Sequence, residues 1–171
     1  YSATAYLITT SSSNVAAGIV ASNVGGTDAK PFRWIGYDST RSIYNTDANR
    51  PTIRLSSVSS VTMFAVGGGN TIVTNLIADA DNNATTKCFT QTGQYGTLYY
   101  NCKAMKFRTY GFDMDAASSI NYGQIAFCEA SQGGTGATGG FYACTNPFFC
   151  IAKDNTGIGF FKCIAPFFCI A

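Results

Sequence analysis

The sequence contains no histidine, one glutamate and one tryptophan, and only 12% of its residues are charged. Without histidine, neither a Ser-His-Asp nor a Cys-His catalytic arrangement can form. The net charge is +2 and no basic residues cluster, so the sequence does not predict a nucleic-acid partner. No apolar run reaches 18 residues, and the sequence therefore predicts no membrane insertion.

Apolar residues, by contrast, are plentiful. Hydrophobic residues make up 46% and aromatic residues 14% of 171 residues, which is enough for the core of one domain or a piece of one. Low charge with much Gly, Ser, Thr and Asn favours a β protein that is extracellular, on a cell surface or on a virion. The first residue is Tyr1 rather than methionine, so we expect that a leader was removed or that the chain is an excised fragment.

An internal repeat organises the second half of the chain. The tripeptide Cys-x-Ala begins at four cysteines, 26, 22 and 19 residues apart: Cys102, Cys128, Cys150 and Cys169. A phenylalanine preceded by glycine follows the first three copies: Phe112, Phe141 and Phe160. Three extra residues in the middle copy fall in the glycine-rich stretch 132–140, where a loop tolerates insertion. Self-similarity at this period, without a helical pattern, predicts a solenoid with one coil per repeat.

The cysteines follow the same repeat. Seven cysteines cannot all pair within one chain, and we interpret them as small buried apolar residues. The four Cys-x-Ala cysteines would stack as a ladder, and Cys144 with Cys163 would form a second one. Bonds between neighbouring rungs remain within reach of disulfide geometry. With no histidine and no Cys-x-x-Cys pair, the sequence predicts no zinc site, no other metal site and no cofactor.

The run Pro-Phe-Arg-Trp-Ile-Gly-Tyr-Asp-Ser-Thr-Arg at 31–41, with Arg-Pro-Thr-Ile at 50–53, resembles the first coils of right-handed parallel β-helix proteins. Residues 99–104 and 154–163 resemble the repeat of pectate-lyase-like folds and phage tailspikes. The resemblance implies an all-β, single-stranded, right-handed parallel β-helix of about six to seven coils over residues 31–171. Residues 1–30 would be N-terminal leading strands or a cap. The predicted coils are 31–50, 51–73, 74–96, 97–123, 124–146, 147–165 and 166–171.

Strand alternation predicts which residues face outward. If Cys and Ala of each tripeptide point inward, the outward pairs change from polar to apolar along the chain: Asn101 with Lys103, Phe127 with Glu129, Phe149 with Ile151, and Phe168 with Ile170. Such an apolar patch predicts an interface, formed by Phe149, Ile151, Phe168, Ile170 and Ala171. In the alternative interpretation the register slips locally and these phenylalanines belong to the core.

The hexapeptide Pro-Phe-Phe-Cys-Ile-Ala occurs at 147–152 and again at 166–171, so the chain stops inside a strand. We expect either that the solenoid is truncated at the C-terminus or that its open coil end, which is adhesive, stacks on another subunit. These observations favour a non-enzymatic structural or adhesive module of an extracellular or phage-type fibre, in which the chain forms a homo-oligomer or filament. The alternative is a polysaccharide-cleaving enzyme, a lyase or glycosidase of the tailspike or pectate-lyase type.

The enzymatic alternative requires acids or bases that converge. The weak catalytic candidates are Asp79, Asp81, Asp113, Asp115, Lys103 and Arg108. Solvated carboxylates in turns are the simpler interpretation. A surface glycan would stack on exposed aromatic rings, for which the candidates are Trp34, Tyr37, Tyr99 and Tyr110. Core packing is the alternative for these four side chains.

Overall fold

The structure is a computed structural model that describes residues 4–8, 13–15, 19–21, 32–37, 50–55, 62–67, 70–83, 86–91, 96–114 and 124–171. In these ranges the strands pair in parallel in three sheets, and no helix occurs. The predicted all-β parallel solenoid is confirmed.

Each of the first five passes of the chain adds one strand to each sheet, and the last pass adds a strand to two of the three. Sheet A contains β1 (Thr4–Ile8), β4 (Phe32–Tyr37), β7 (Thr71–Thr74), β10 (Leu98–Tyr100) and β13 (Gln124–Ala126). Sheet B contains β2 (Ser13–Val15), β5 (Thr52–Leu55), β8 (Ile77–Asp79), β11 (Lys103–Met105), β14 (Glu129–Ser131) and β16 (Ile151–Lys153). Sheet C contains β3 (Ile19–Ala21), β6 (Thr62–Val66), β9 (Lys87–Gln91), β12 (Tyr110–Asp113), β15 (Gly139–Tyr142) and β17 (Ile158–Phe161). The segment predicted as leading strands or a cap thus contributes one strand to each sheet.

The predicted coil boundaries need one correction. Strands β4, β5 and β6 belong to one pass, so the predicted coils 31–50 and 51–73 are parts of a single, longer coil. A long connection between β4 and β5 lengthens this pass, and the cysteine period gave no sign of it. The later boundaries near 97, 124, 147 and 166 agree with β10, β13 and the isolated bridges that Phe148 and Phe167 make in parallel.

The Cys-x-Ala position continues into β8 without a cysteine. Ala104 pairs with Ala78, so the residues that match the tripeptide there are Leu76, Ile77 and Ala78. Residues two apart on a strand point to the same face. For this reason Leu76 and Ala78 are buried at the same position as Cys102 and Ala104.

Aromatic rings form the centre of the core. Phenylalanines of sheet C stack one above another along the solenoid: Phe64, Phe89, Phe112, Phe141 and Phe160. The rings of Phe112 and Phe141 lie 5.0 Å apart and nearly parallel, at 4°. The Gly-Phe pattern therefore identified an inward column, which holds together by apolar burial and ring stacking.

At the corner between sheets A and B, the chain changes direction at one residue with a positive φ. These residues share φ values from 48° to 59°: Asn75, Asn101, Phe127, Phe149 and Phe168. Left-handed backbone of this kind breaks the simple alternation of a strand. Consequently Tyr99 points inward and Tyr100 outward, on the opposite faces from those that counting back from Cys102 predicts.

Four of the seven cysteines come directly after the left-handed residue of the A–B corner. All seven are free; Cys88, Cys102, Cys128, Cys144 and Cys150 are buried, and Cys163 and Cys169 are partly exposed. Thiols at the A–B corner repeat one pattern, in which each contacts the carbonyl two residues earlier and a second carbonyl on the preceding rung. Cys102 Sγ lies 3.5 Å from the carbonyls of Tyr100 and Val73. The register of the two predicted ladders agrees with the strand pairing, and four of their six cysteines are buried as predicted: Cys102, Cys128, Cys144 and Cys150.

Candidate interaction surface

One side chain from each rung stacks into a column at the A–B corner, buried at Arg50 and Asn75 and exposed from Phe127 onward. Strand register places six residues in it, one on each successive rung: Arg50, Asn75, Asn101, Phe127, Phe149 and Phe168. Asn101 Nδ2 donates a hydrogen bond of 2.7 Å to Asn75 Oδ1. Arg50 Nη1 donates one of 2.8 Å to the carbonyl of Asn101. The first half of the column is therefore polar and internally bonded.

The second half of the column is a phenylalanine ladder. The rings of Phe127 and Phe149 are 5.3 Å apart at 9°, and those of Phe149 and Phe168 are 5.0 Å apart at 21°. These three side chains are 46%, 44% and 65% exposed. The ladder is thus ordered by stacking yet open to solvent.

A second aromatic column runs beside the first, on the outer side of sheet A. Phe148 pairs with Ala126 and with Phe167, and the two phenylalanine rings are 5.9 Å apart at 11°. Rings of the two columns are nearly perpendicular, at 87° between Phe148 and Phe149, and edge-to-face contact is a favoured geometry. We define the aromatic face as the exposed residues of both columns: Tyr100, Phe127, Phe148, Phe149, Phe167 and Phe168.

The predicted interface residues lie on or beside this face. Phe149 and Phe168 belong to it, while Ile151 and Ile170 pair with each other next to it on sheet B. Both isoleucines are exposed, as is Ala171. The predicted change from polar to apolar along the outward positions is confirmed, although the phenylalanines occupy corners rather than strand positions.

Charged side chains cover the outer surface of sheet B before the isoleucines begin. Lys103 Nζ and Lys153 Nζ each lie 3.1 Å from Glu129 Oε1. Burial by itself would raise the pKa of Glu129, but hydrogen bonds from the two lysines outweigh it and hold the pKa below its ordinary value. Lys103 is buried, so it serves in this triad rather than as a free base.

A second charged cluster surrounds Asp79, whose side chain is 3% exposed. Arg54 Nη2 lies 2.9 Å from Asp79 Oδ2, and Lys106 Nζ lies 3.5 Å from it. Lys106 also approaches Asp81 at 3.7 Å. The Asp81 amide also donates a 3.0 Å hydrogen bond to Asp79 Oδ1, so the Asp79 carboxylate is held by two cations and one amide.

The other acidic candidate lies on a different sheet. Asp113 belongs to β12 in sheet C, and its carboxylate contacts Lys87 Nζ at 2.6 Å. Asp115 lies outside the described residues, and Arg108 is half-buried between β11 and β12. In the described ranges Asp79 with Asp81, Asp113 and Lys103 thus belong to three separate ion-pair clusters.

Two of the four glycan-contact candidates point into the core, which corrects that prediction. Tyr99 is fully buried, and its hydroxyl donates a 2.9 Å hydrogen bond to the carbonyl of Thr90. Trp34 packs against the core edge-to-face with Phe64, at 5.4 Å and 88°. Their register explains both: Trp34 and Tyr99 each pair with inward Val73.

The remaining two aromatic candidates are at least partly accessible. Tyr37 is half-buried at the end of β4. Tyr110 stacks on Tyr142 at 4.3 Å and 13°, and Lys87 Nζ lies 5.6 Å from its ring centre. Burial, together with the charges of Tyr142 and Asp113, raises the pKa of the Tyr110 phenol. This small cluster is separate from the aromatic face.

Sequence reasoning missed three members of the aromatic face: Tyr100, Phe148 and Phe167. Strict alternation counted back from each cysteine places them inside. The left-handed residue just before each cysteine could have given the signal, because asparagine occupies that place at 75 and 101 and often adopts positive φ.

No family model, curated protein or solved structure matches the chain. Among the described residues, no three His, Cys, Asp or Glu side chains come together as a metal site. In that same part of the chain, no helix is long and apolar enough to cross a membrane.

Proposed function

We propose that this chain is a non-enzymatic structural or adhesive module that associates with copies of itself through the aromatic face. The module would belong to an extracellular, cell-surface or virion fibre, as the resemblance of residues 31–171 to pectate-lyase-like and tailspike repeats suggests. Association through an open coil end stays a prediction.

The observation that carries the proposal is the phenylalanine ladder at left-handed corners. A left-handed residue other than Gly, Asn or Asp costs about 1–2 kcal/mol. Asn75 and Asn101 occupy the same corner without that cost. Stacking between neighbouring rings recovers about 0.5–1.5 kcal/mol, but the exposed apolar surface gains nothing further in a monomer. A partner that covers the rings would supply the missing burial.

The size of the aromatic face supports a protein partner. Its six side chains together expose about three whole aromatic side chains, on the order of 600 Å². Patches on ordinary monomers reach about 300–600 Å², and a stable interface buries about 800 Å² on each partner. Ile151 and Ile170, 38% and 63% exposed, extend the face toward that size.

Position supports a lateral contact. The amide of Phe127 donates to the carbonyl of Phe148, and the amide of Phe149 donates to that of Phe167. Both residues therefore have neighbouring rungs above and below them, and their exposure is on the side of the solenoid. Two copies laid side by side could match rung for rung, because strand spacing is the same in both.

The polysaccharide-cleaving alternative has less support. It requires carboxylates that converge on one bond, whereas Asp79 and Asp113 are held by Arg54 and Lys87 on separate sheets. A surface glycan stays a predicted partner, and Tyr110 is the candidate on an outer surface that best suits it.

The test is sedimentation of the purified chain over a wide range of concentration, with negative-stain microscopy of the same samples. We expect an oligomer or filament, and a double variant Phe127→Asn with Phe149→Asn should dissociate at concentrations at least about 10-fold higher, since buried aromatic anchors dominate interface energy. Asparagine is chosen because it suits the left-handed corner.

Ile158→Asn is the matched control, since Ile158 is 52% exposed but lies on sheet C, away from the aromatic face. It should associate like the unmodified chain. A wild-type chain that remains monomeric at every concentration, or a double variant that associates unchanged, would overturn the proposal.

A further inference from the structure

Two neighbouring segments of the solenoid are near copies of each other. Residues 144–152 are Cys-Thr-Asn-Pro-Phe-Phe-Cys-Ile-Ala, and residues 163–171 are Cys-Ile-Ala-Pro-Phe-Phe-Cys-Ile-Ala. Their backbones agree as well, since φ is 48° at Phe149 and 51° at the matching Phe168. The two segments therefore share both sequence and conformation.

The second segment pairs with the first in parallel register. Six backbone hydrogen bonds of 2.8–3.0 Å join 163–171 to 144–152. Both backbone groups of Ile164, Phe167 and Ile170 take part in them, so these residues form the near edge of 163–171, the edge that faces the preceding rung. The contact shows which partner the opposite, far edge of 144–152 accepts, namely a parallel segment with nearly its own sequence.

The far edge of 163–171 has the same groups in the same order as the far edge of 144–152. On 144–152, three amides and three carbonyls bind the next rung: the amides of Asn146, Phe149 and Ala152 and the carbonyls of Cys144, Pro147 and Cys150. Their counterparts make no backbone hydrogen bond to another described residue: the amides of Ala165, Phe168 and Ala171 and the carbonyls of Cys163, Pro166 and Cys169. Such a row of backbone groups is a template for a further strand.

Apolar side chains at the same edge are uncovered too. Cys150 and Ala152 are buried beneath 163–171, whereas their counterparts Cys169 and Ala171 are partly and fully exposed. Phe168 stacks on Phe149 at 5.0 Å on one side of its ring only. A further segment of the same sequence would cover these side chains and continue the ring stack.

A folded second copy of the chain cannot supply this segment from its own repeats. To dock, a segment must offer its near edge, and in the folded chain both near edges are already used. Phe148 donates to the carbonyl of Ile125, and Phe167 donates to that of Pro147. The partner must therefore be an extended segment rather than a finished coil.

We propose that the far edge of 163–171 binds an extended polypeptide segment that contains Pro-Phe-Phe-Cys-Ile-Ala, in parallel and in register, as a further rung. Strand addition of this kind is a general mode of peptide recognition, in which backbone bonds give affinity and alternate side chains give specificity. The site lies at the end of the column rather than on its side, so it does not depend on self-association through the aromatic face.

The experiment is fluorescence anisotropy of a labelled synthetic peptide that copies residues 163–171, with solubilising lysines at its N-terminus. The peptide is titrated with the full chain under reducing conditions, and we expect saturable binding of one peptide per chain. Hydrogen exchange of the complex should be slower at the amides of Ala165 and Phe168, which the peptide would cover. The amide of Phe149 is already bonded within the chain and should be unchanged.

Two methylated peptides provide the matched control. In the chain, the amide of Ile170 donates to the carbonyl of Cys150. A methyl group on the peptide amide that corresponds to Ile170 removes this bond and leaves a carbonyl without its donor, so binding should weaken at least about 10-fold. A methyl group on the next amide, which corresponds to Ala171, projects from the far edge and should leave binding unchanged.

Three results would overturn the proposal. The first is the absence of saturable binding. The second is equal binding of the two methylated peptides, which would place the peptide on an apolar surface such as the aromatic face. The third is slow exchange at Ala165 and Phe168 before peptide is added, which would assign the edge to a second copy of the chain. Sedimentation tests the aromatic face separately, so either proposal can fail while the other stands.

Discussion

The A–B corner of the solenoid is polar on its earlier rungs and aromatic on its later ones. At Asn75 and Asn101 the side chains bond each other and Arg50, whereas at Phe127, Phe149 and Phe168 they stack and remain exposed. Backbone conformation is the same in both regions, with φ near 50–60°. The fold therefore has a left-handed residue at this corner but leaves its chemistry open, and we propose that the phenylalanine region differs because it binds another copy of the chain.

The largest expected effect on stability is the difference between substitutions in the buried phenylalanine column and in the exposed one. Phe141→Ala should lower the free energy of unfolding by about 3–5 kcal/mol, because Phe141 is fully buried between two stacked rings. Phe149→Ala should cost only about 1–2 kcal/mol, since it loses mainly stacking. Urea unfolding measures both, and equal costs would contradict the assignment of inside and outside.

The next largest effect on stability is expected when asparagine and phenylalanine are exchanged at the A–B corner. Asn101→Phe should cost about 2 kcal/mol, because it removes the hydrogen bond to Asn75 and places a bulky side chain at positive φ. Phe127→Asn, its matched reverse, should alter stability by less than about 1 kcal/mol. Thermal or urea unfolding of the pair tests this, and a stabilised Asn101→Phe would refute the role of the asparagines.

The smallest effect concerns the charged part of sheet B. Glu129→Gln should cost about 1.5 kcal/mol at pH 7, because it weakens the charge-assisted contacts with Lys103 and Lys153 while keeping the shape of the side chain. The folded pKa of Glu129 lies below its unfolded value of about 4.3, so its contribution is complete above that pH and is lost as the pH falls through the folded pKa.

The measurement is the free energy of unfolding of wild type and of Glu129→Gln at pH 7, where Glu129 is charged, and at pH 3, where it is increasingly protonated. Their difference should shrink at pH 3. A difference that stays constant with pH would mean that the two lysines do not stabilise the charged carboxylate.

Period and composition predicted much of this molecule. Cys-x-Ala and Gly-Phe located the inward columns because a solenoid repeats its core position on every rung. The long stretch between β4 and Thr52 made one pass look like two predicted coils, since an insertion carries no periodic signal. Tyr99 was placed outside because alternation was counted across a left-handed residue. The ion pairs of Lys103 and Asp79 depend on neighbours about 25 residues away in sequence, which local spacing does not disclose.

The repeated corner also bears on how such a chain can evolve. The corner holds asparagine on two rungs and phenylalanine on three with the same left-handed backbone, so a substitution there can replace a polar contact by an apolar one while the stack beneath stays intact. Duplication of a rung, as the two copies of Pro-Phe-Phe-Cys-Ile-Ala at 147–152 and 166–171 suggest, then copies that surface along with the fold. A lineage of these solenoids could lengthen a binding surface and change its chemistry in separate, small steps.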